Sequence, residues 1–309
     1  MTHTILGAGG PIANALTQQL INANLPTRLV SRRPVNSSHP NVQWQKADLL
    51  QATEVMAAVK GSAVIYLCAG LVYEKTIWQQ QWPVIAENVI NAAKQNNARL
   101  IFFDNVYMYG LVNGPMVEDT PYNPSSIKGE VRARVATQIM DEVKQGNLQA
   151  TIARAADFYG AESLNSLYDS MVLNKYADKQ KAMWLGKAKT KHSFTYVPDA
   201  GKAMYLLGQN PSSDNQIWHL PTAPSLTGIE FIDLAARAFK TSPRYMSVNK
   251  LMLQMIGLFN KVIGGTVEMY YQYDHDYIFN SDKFEKAFNF KPTGYEDGVT
   301  HLAQTLFKR

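Results

Sequence analysis

Apolar and polar positions along this chain follow two alternating periods. Short apolar runs end at Leu6 and recur at Arg28–Ser31, Val42–Gln45, Val64–Ala69, Leu100–Phe103 and Thr151–Arg154. The run at 64–69 is almost continuously apolar, as expected of a strand buried on both faces. Between these runs the period lengthens to that of a helix, at 11–23, 50–59, 76–95 and 129–145. Ile12, Leu16 and Leu20 share one face of the first. Val131, Val135, Ile139 and Val143 form a stripe on the last. Strands that alternate with helices predict an α/β fold built on a doubly wound parallel sheet.

After Gly160 the alternation breaks. Residues 161–190 and 210–309 mix helices with short strands, punctuated by Pro198, Pro211, Pro221, Pro224 and Pro292. The reading is a first domain over 1–160, with returns to it near 191–222, and a smaller mixed α/β lobe over 161–309. A helix near 199–208 and a strand at Gln216–Leu220 are the expected returns. The small lobe is expected over the C-terminal strand ends, where open α/β sheets bind ligands.

The chemistry starts at Gly7-Ala8-Gly9-Gly10-Pro11-Ile12-Ala13. A glycine loop joins the first strand to the first helix, the context of a Rossmann dinucleotide fingerprint. Gly7 allows the tight turn, and Gly9 and Gly10 let a pyrophosphate approach the backbone. Pro11 suits the first helical position. The N–H groups from Ile12 onward then face the phosphates. Ala13 stands where the pattern usually ends in glycine. After the second strand, NAD-preferring folds carry an acid that accepts from the ribose hydroxyl. Here the residues are Ser31-Arg32-Arg33-Pro34, which suit a 2′-phosphate. NADP(H) is therefore the preferred cofactor, with NAD(H) admissible.

Composition narrows the class. The 309 residues are 46% hydrophobic and 18% charged, ordinary for a globular enzyme. Cys68 is the single cysteine; it sits in an apolar run and reads as a buried, inert thiol. Neither a disulfide framework nor a metal site is indicated. The net charge is +5, but the basic residues are scattered, so nucleic acid is not an expected partner. The apolar segment 251–263 is too short to span a bilayer. No membrane partner is expected, and without a signal-peptide pattern before the first strand the expected location is cytoplasmic. A homodimer is compatible with the sequence.

Several further motifs resemble the extended short-chain dehydrogenase/reductases, the NAD-dependent epimerase/dehydratase group. The resemblance covers nearly the whole chain. Phe102-Phe103-Asp104-Asn105-Val106-Tyr107-Met108-Tyr109-Gly110 resembles the segment that usually reads Ser-Ser-x-x-Val-Tyr-Gly. Arg154-Ala155-Ala156-Asp157-Phe158-Tyr159-Gly160 is similar to Arg-Pro-x-x-Val-Tyr-Gly. His192–Ala200 is similar to the Phe-x-x-Val-x-Asp-x-Ala element of the second half. The resemblance implies that Asp48 and Leu49, Ala69 and Gly70 after the fourth strand, and Asn88 on the third helix lie along the cofactor.

The same resemblance exposes a departure. The family normally uses a Tyr-x-x-x-Lys pair on the helix after the fifth strand: the tyrosine moves the hydroxyl proton, and the lysine lowers its pKa and holds the nicotinamide ribose. None of the sixteen tyrosines has this partner. Lys128 takes the tyrosine position, Arg132 the lysine position and Asn105 the upstream serine position. Asn105, Lys128, Arg132 and Tyr107 are therefore the catalytic candidates. Lys128 also faces the cofactor in this reading, and Tyr107 is the alternative proton donor. A solvated helix face is the plain alternative for Lys128 and Arg132. His3 reads as a solvated end residue, His192 as a cleft or structural residue, and His219 as structural. Tyr270–Tyr277 reads as pocket lining or packing. Met246–Phe259 reads chiefly as core, or else as a cap or a subunit contact. Two functions follow: an NADP(H)-dependent oxidoreductase or epimerase acting on a small or sugar-like substrate, or a non-catalytic NADP(H)-binding redox or ligand sensor.

Overall fold

The computed structural model describes residues 1–160 and 166–306. Its spine is a seven-stranded parallel sheet. Five strands come from residues 2–104: β1 (Thr2–Leu6), β2 (Thr27–Ser31), β3 (Val42–Lys46), β4 (Ser62–Leu67) and β5 (Arg99–Asp104). Ala150–Arg154 and Ile217–His219 complete it. The spatial order is Ile217–His219, Ala150–Arg154, β5, β4, β1, β2, β3. β1 is central, paired in parallel with β2 (Ile5 opposite Leu29) and with β4 (Ile5 opposite Tyr66). Chain order reverses between β1 and β4, so the crevice above their C-terminal ends is the switch point where such sheets bind ligands.

Helices cover both faces. α1 (Pro11–Asn22) and the helix Val197–Gln209 pack on one through Ile12, Leu16, Leu20, Ala203, Met204 and Leu207. α2 (Ala52–Val59), α3 (Lys75–Gln95) and α4 (Ile127–Lys144) cover the other with Val55, Trp82, Val89, Val131, Val135 and Ile139. The expected returns are present: the strand Ile217–His219 pairs with Ala150–Arg154, Trp218 opposite Ala153. A second, aromatic core gathers Tyr159, Tyr168, Trp184, Phe194, Phe231 and Tyr273. It is stitched by two-strand pairs such as Asp157–Tyr159 with Phe194–Tyr196. The expected domain boundary at 160/161 borders residues 161–165, which lie outside the described residues.

Two expectations change. His3 is not solvated: it is buried, and its Nδ1 lies 3.1 Å from the Tyr66 hydroxyl. Burial, the N-terminal amine and Arg99 push its pKa down to about 4. The terminal strand is central in the sheet, so its end is enclosed. Met246–Phe259 is core only in part: Val248 and Leu253 are buried in the second core, whereas Leu251, Met255, Ile256, Leu258 and Phe259 are exposed. Tyr270, Tyr273 and Tyr277 are buried, as packing requires. Cys68 is partly buried, and burial raises its thiol pKa to about 12, consistent with an inert side chain.

His219 is buried too. Its Nε2 is 2.8 Å from the Tyr109 hydroxyl and its Nδ1 is 2.8 Å from the Asn280 carbonyl. Burial pushes its pKa down to about 3. Below the unfolded pKa near 6.5 the unfolded chain therefore takes up protons that the fold refuses, and stability falls with pH. As the pH falls from 6.5 to 5, urea denaturation should show a loss from His219 that steepens toward about 1.4 kcal/mol per pH unit, with His3 acting in the same direction. A flat profile over that window contradicts both assignments.

Candidate functional site

The glycine loop is shaped by its neighbours. Gly7 and Gly9 have φ of 87° and 94°, a region that disfavours residues with a Cβ. A Cβ on Gly7 would come within 2.4 Å of the Ala69 Cα, so β4's exit and β1's exit touch only because Gly7 has no side chain. The N–H groups of Gly7 and Ala8 both donate to the Val30 carbonyl at 3.0 Å. Gly10 is the N-cap of α1 and offers no side-chain cap; Pro11 follows at the first turn. The leading N–H groups, Ile12's among them, remain for an anion. The Ile12 side chain itself points into the core. Gly70 is exposed beside this loop.

The β2 exit carries exposed Arg32 and Arg33. The Ser31 hydroxyl donates to the Arg33 carbonyl at 2.6 Å and accepts from Trp44 Nε1 at 3.0 Å, which fixes the turn. Asp48 shapes the next loop: Oδ1 accepts from the Leu50 N–H at 3.0 Å. Asn88 of α3 donates to the Leu49 carbonyl at 2.9 Å. Asn88 thus secures the 48–50 loop to α3.

Beyond β5 the candidate residues meet, but in roles the sequence did not suggest. Asn105 Oδ1 accepts from the Tyr107 N–H at 3.0 Å and makes the tight turn after β5. Arg132 is buried, correcting the solvated-face alternative. Its Nε donates to Asp104 Oδ1 at 2.6 Å, and its guanidinium lies 4.2 Å from the Trp82 ring centre and 4.5 Å from that of Phe102. Asp104 Oδ2 stands 3.5 Å from Arg154 Nε. Arg154 in turn donates to the hydroxyls of Tyr109, at 2.7 Å, and Tyr122.

Lys128 is buried as well. Its ammonium donates to the Gly265 carbonyl and to Glu268 Oε1, each at 2.7 Å, and lies 4.2 Å from the Tyr73 ring centre. Burial lowers its pKa, and the Glu268 carboxylate works against that shift. A groove lined by Glu74, Lys75, Lys261 and Glu268 opens beside this pair.

Tyr107 is half-buried, and its hydroxyl accepts from that of Tyr73 at 3.0 Å. Burial, and then the nearby Asp157 charge, raise its pKa above the usual phenol range. Tyr107 is therefore a neutral phenol at neutral pH. Asp157 Oδ2 faces His192 Nε2 at 3.1 Å. His192 is buried and stacked on Tyr277, with ring centres 4.5 Å apart. Asp104, Asp157, Tyr73 and Glu268 all shape this region, and sequence reading missed them. Asp104 and Asp157 lie inside the family-like segments 102–110 and 154–160, which was the available signal. Nothing local marks Glu268.

The chain matches the sequence profile of the NAD dependent epimerase/dehydratase family over residues 3–220. It belongs to that family. A search of curated proteins finds no match. Among solved structures, the chain resembles the UDP-glucose 4-epimerase of Thermus thermophilus, with a TM-score of 0.81, 14% identity and 99% of each chain covered. It also resembles the dTDP-glucose 4,6-dehydratase of Bacillus anthracis, with a TM-score of 0.84, 15% identity, and 100% of this chain and 97% of that chain covered. The UDP-N-acetylglucosamine 4-epimerase of Bacillus cereus gives a TM-score of 0.80 at 12% identity, over 100% of this chain and 97% of that chain. These likenesses establish a shared fold. In this member of the family, Asp104 at the exit of β5 is held by buried ion pairs with Arg132 and Arg154.

Removing one partner of a buried ion pair strands the other, at about 3–5 kcal/mol. Asp104→Ala leaves Arg132 and Arg154 without their shared carboxylate and should lower the unfolding free energy by that amount in urea titration. A loss below about 1 kcal/mol would mean that the cluster is solvated and does not organise the site.

Proposed function

We propose that this family member binds one NADP(H) across the 7–13 loop and works as a reductase on a small or sugar-like carbonyl compound. The observation that carries the reading is the glycine turn pressed against Ala69 at the β1/β4 switch, followed by a helix with no side-chain cap. The neighbours crystallised with NAD support a nicotinamide dinucleotide. Arg32 and Arg33, with no acid between Ser31 and Pro34, support the phosphorylated form. Leu49, Asp48, Gly70 and Asn88 are proposed to border the adenosine half. The bound dinucleotide would supply hydride.

The protein's part is the proton. Lys128 and Arg132 are each held by a carboxylate, so neither is proposed as the donor. Tyr107 accepts from Tyr73, which leaves its own proton to give. A phenol with a raised pKa can hand a proton to the oxygen of a carbonyl as hydride arrives at its carbon. Taking a proton from an alcohol would need the phenolate, which its burial disfavours. The site thus suits reduction over epimerisation, which must first oxidise a hydroxyl. Asn105 is proposed to position Tyr107 through the turn it holds. The pairing of Lys128 and Arg132 also favours a second reading, an NADP(H)-binding sensor without turnover.

Calorimetry tests the cofactor. Gly9→Val should abolish dinucleotide binding while circular dichroism stays that of a folded chain. Arg32→Ala should weaken NADPH by roughly 10- to 100-fold, the equivalent of one charge-assisted hydrogen bond, and leave NADH nearly unchanged. Equal affinities for the two cofactors in the parent would remove the NADP(H) assignment.

Turnover tests the donor. On a carbonyl substrate found by screening with NADPH, Tyr107→Phe should lower kcat by about 10²–10⁴-fold at unchanged NADPH affinity. Parental kcat in that variant excludes Tyr107. Tight NADPH binding with no turnover across the screen selects the sensor.

A further inference from the structure

The exposed apolar segment forms a helical hairpin, Lys250–Gly257 and Lys261–Val267. Each helix is capped by an asparagine. Asn249 Oδ1 accepts from the Met252 N–H at 2.9 Å, and Asn260 Oδ1 from those of Val262 and Ile263 at 3.1 and 3.2 Å. The helices meet at two glycines; a Cβ on Gly257 would lie 2.8 Å from the Gly264 Cα. The inner side is anchored by buried Leu253 and by the Lys128 bonds to Gly265 and Glu268. The hairpin is therefore a fixed projection.

Its outer side is apolar. Leu258 and Phe259, consecutive at the turn, are 82% and 93% exposed, and Leu251, Met255, Ile256 and Val262 are exposed beside them. Single exposed apolar residues are ordinary, whereas a contiguous group marks an interaction surface. From Tyr245 to Val267 the chain has no acidic residue; Lys250 and Lys261, both exposed, open the two helices. Glu268, which follows, is paired with Lys128. The charges of Glu74 and Lys75, across the groove, cancel.

We infer that this hairpin docks the protein on an anionic lipid surface, with Leu258 and Phe259 entering the acyl boundary and Lys250 and Lys261 at the headgroups. This goes beyond the reductase reading and does not depend on it. A second copy fits less well. A two-fold contact sets a patch against itself, and this patch would bring lysines together with no acid in the segment to answer them. An anionic interface answers both the apolar tip and the cations, and the chain's net charge of +5 adds to the attraction. Among the described residues no helix is long and apolar enough to cross a membrane. The expectation of no membrane partner rested on that length criterion, which does not address a surface hairpin.

Co-sedimentation of the full chain with phosphatidylcholine vesicles, with and without phosphatidylglycerol, tests this. Binding should require phosphatidylglycerol and weaken with salt. Phe259→Asp should reduce it by about tenfold or more, and Lys250→Gln with Lys261→Gln by roughly 25-fold, about fivefold per lysine. All three side chains are exposed, so thermal unfolding should not move. Absence of binding, or binding indifferent to phosphatidylglycerol, overturns the inference. So does a parent dimer in analytical ultracentrifugation that Phe259→Asp converts to monomer, because the second copy is then the occupant.

Discussion

The Asp104 carboxylate is the constraint on which the site depends. It ends β5 in the sheet's interior and faces two buried arginines, Arg132 from α4 and Arg154 from the neighbouring strand. Taking such ions from water costs several kcal/mol each, so the group persists only because its charges and donors are matched. Oδ1 takes Arg132 and the Asn105 N–H; Oδ2 faces Arg154; the remaining Arg154 donors reach Tyr109 and Tyr122. The Arg132 guanidinium lies against Trp82 and Phe102, where a planar, weakly hydrated cation packs well. One carboxylate thus ties α4, two strands and the 105–109 turn into a single unit.

That unit determines what the site can do. Arg132 is committed to Asp104. One helical turn earlier, Lys128 is committed to Glu268 and the Gly265 carbonyl. Arg132 is thus a joint within the main sheet, and Lys128 a joint between α4 and the 250–268 hairpin. Tyr107, the proton donor we propose, is positioned by the Asn105 turn, and its burial keeps it in the acid form.

The fold was legible because it rests on periodicity. Apolar runs broken by helical stripes gave the sheet, and Gly7–Pro11 marked the switch point. The returns read near 199–208 and at 216–220 stand at Val197–Gln209 and Ile217–His219. The chemistry of the site was only half legible. Motif register singled out Asn105, Tyr107, Lys128 and Arg132, yet a charged residue does not announce its own burial. The partners that permit it are distant in sequence: Asp104 is 28 residues from Arg132 and Glu268 is 140 from Lys128. His3 was misread for the same reason, since Tyr66 lies 63 residues away. Met246–Phe259 departs in the opposite direction for its outward half, because apolar composition alone does not say which of its residues join Val248 and Leu253 in the core.

The most direct test is a crystal structure of the NADPH complex. The account predicts the pyrophosphate over Gly9 and Gly10, the Tyr107 hydroxyl on the open face of the nicotinamide, within about 3–3.5 Å of the reacting atoms of a bound carbonyl compound, and Arg132 and Lys128 still on Asp104 and Glu268. A complex in which Arg132 leaves Asp104 for the nicotinamide ribose, or Lys128 leaves Glu268 for the carbonyl oxygen, would contradict it.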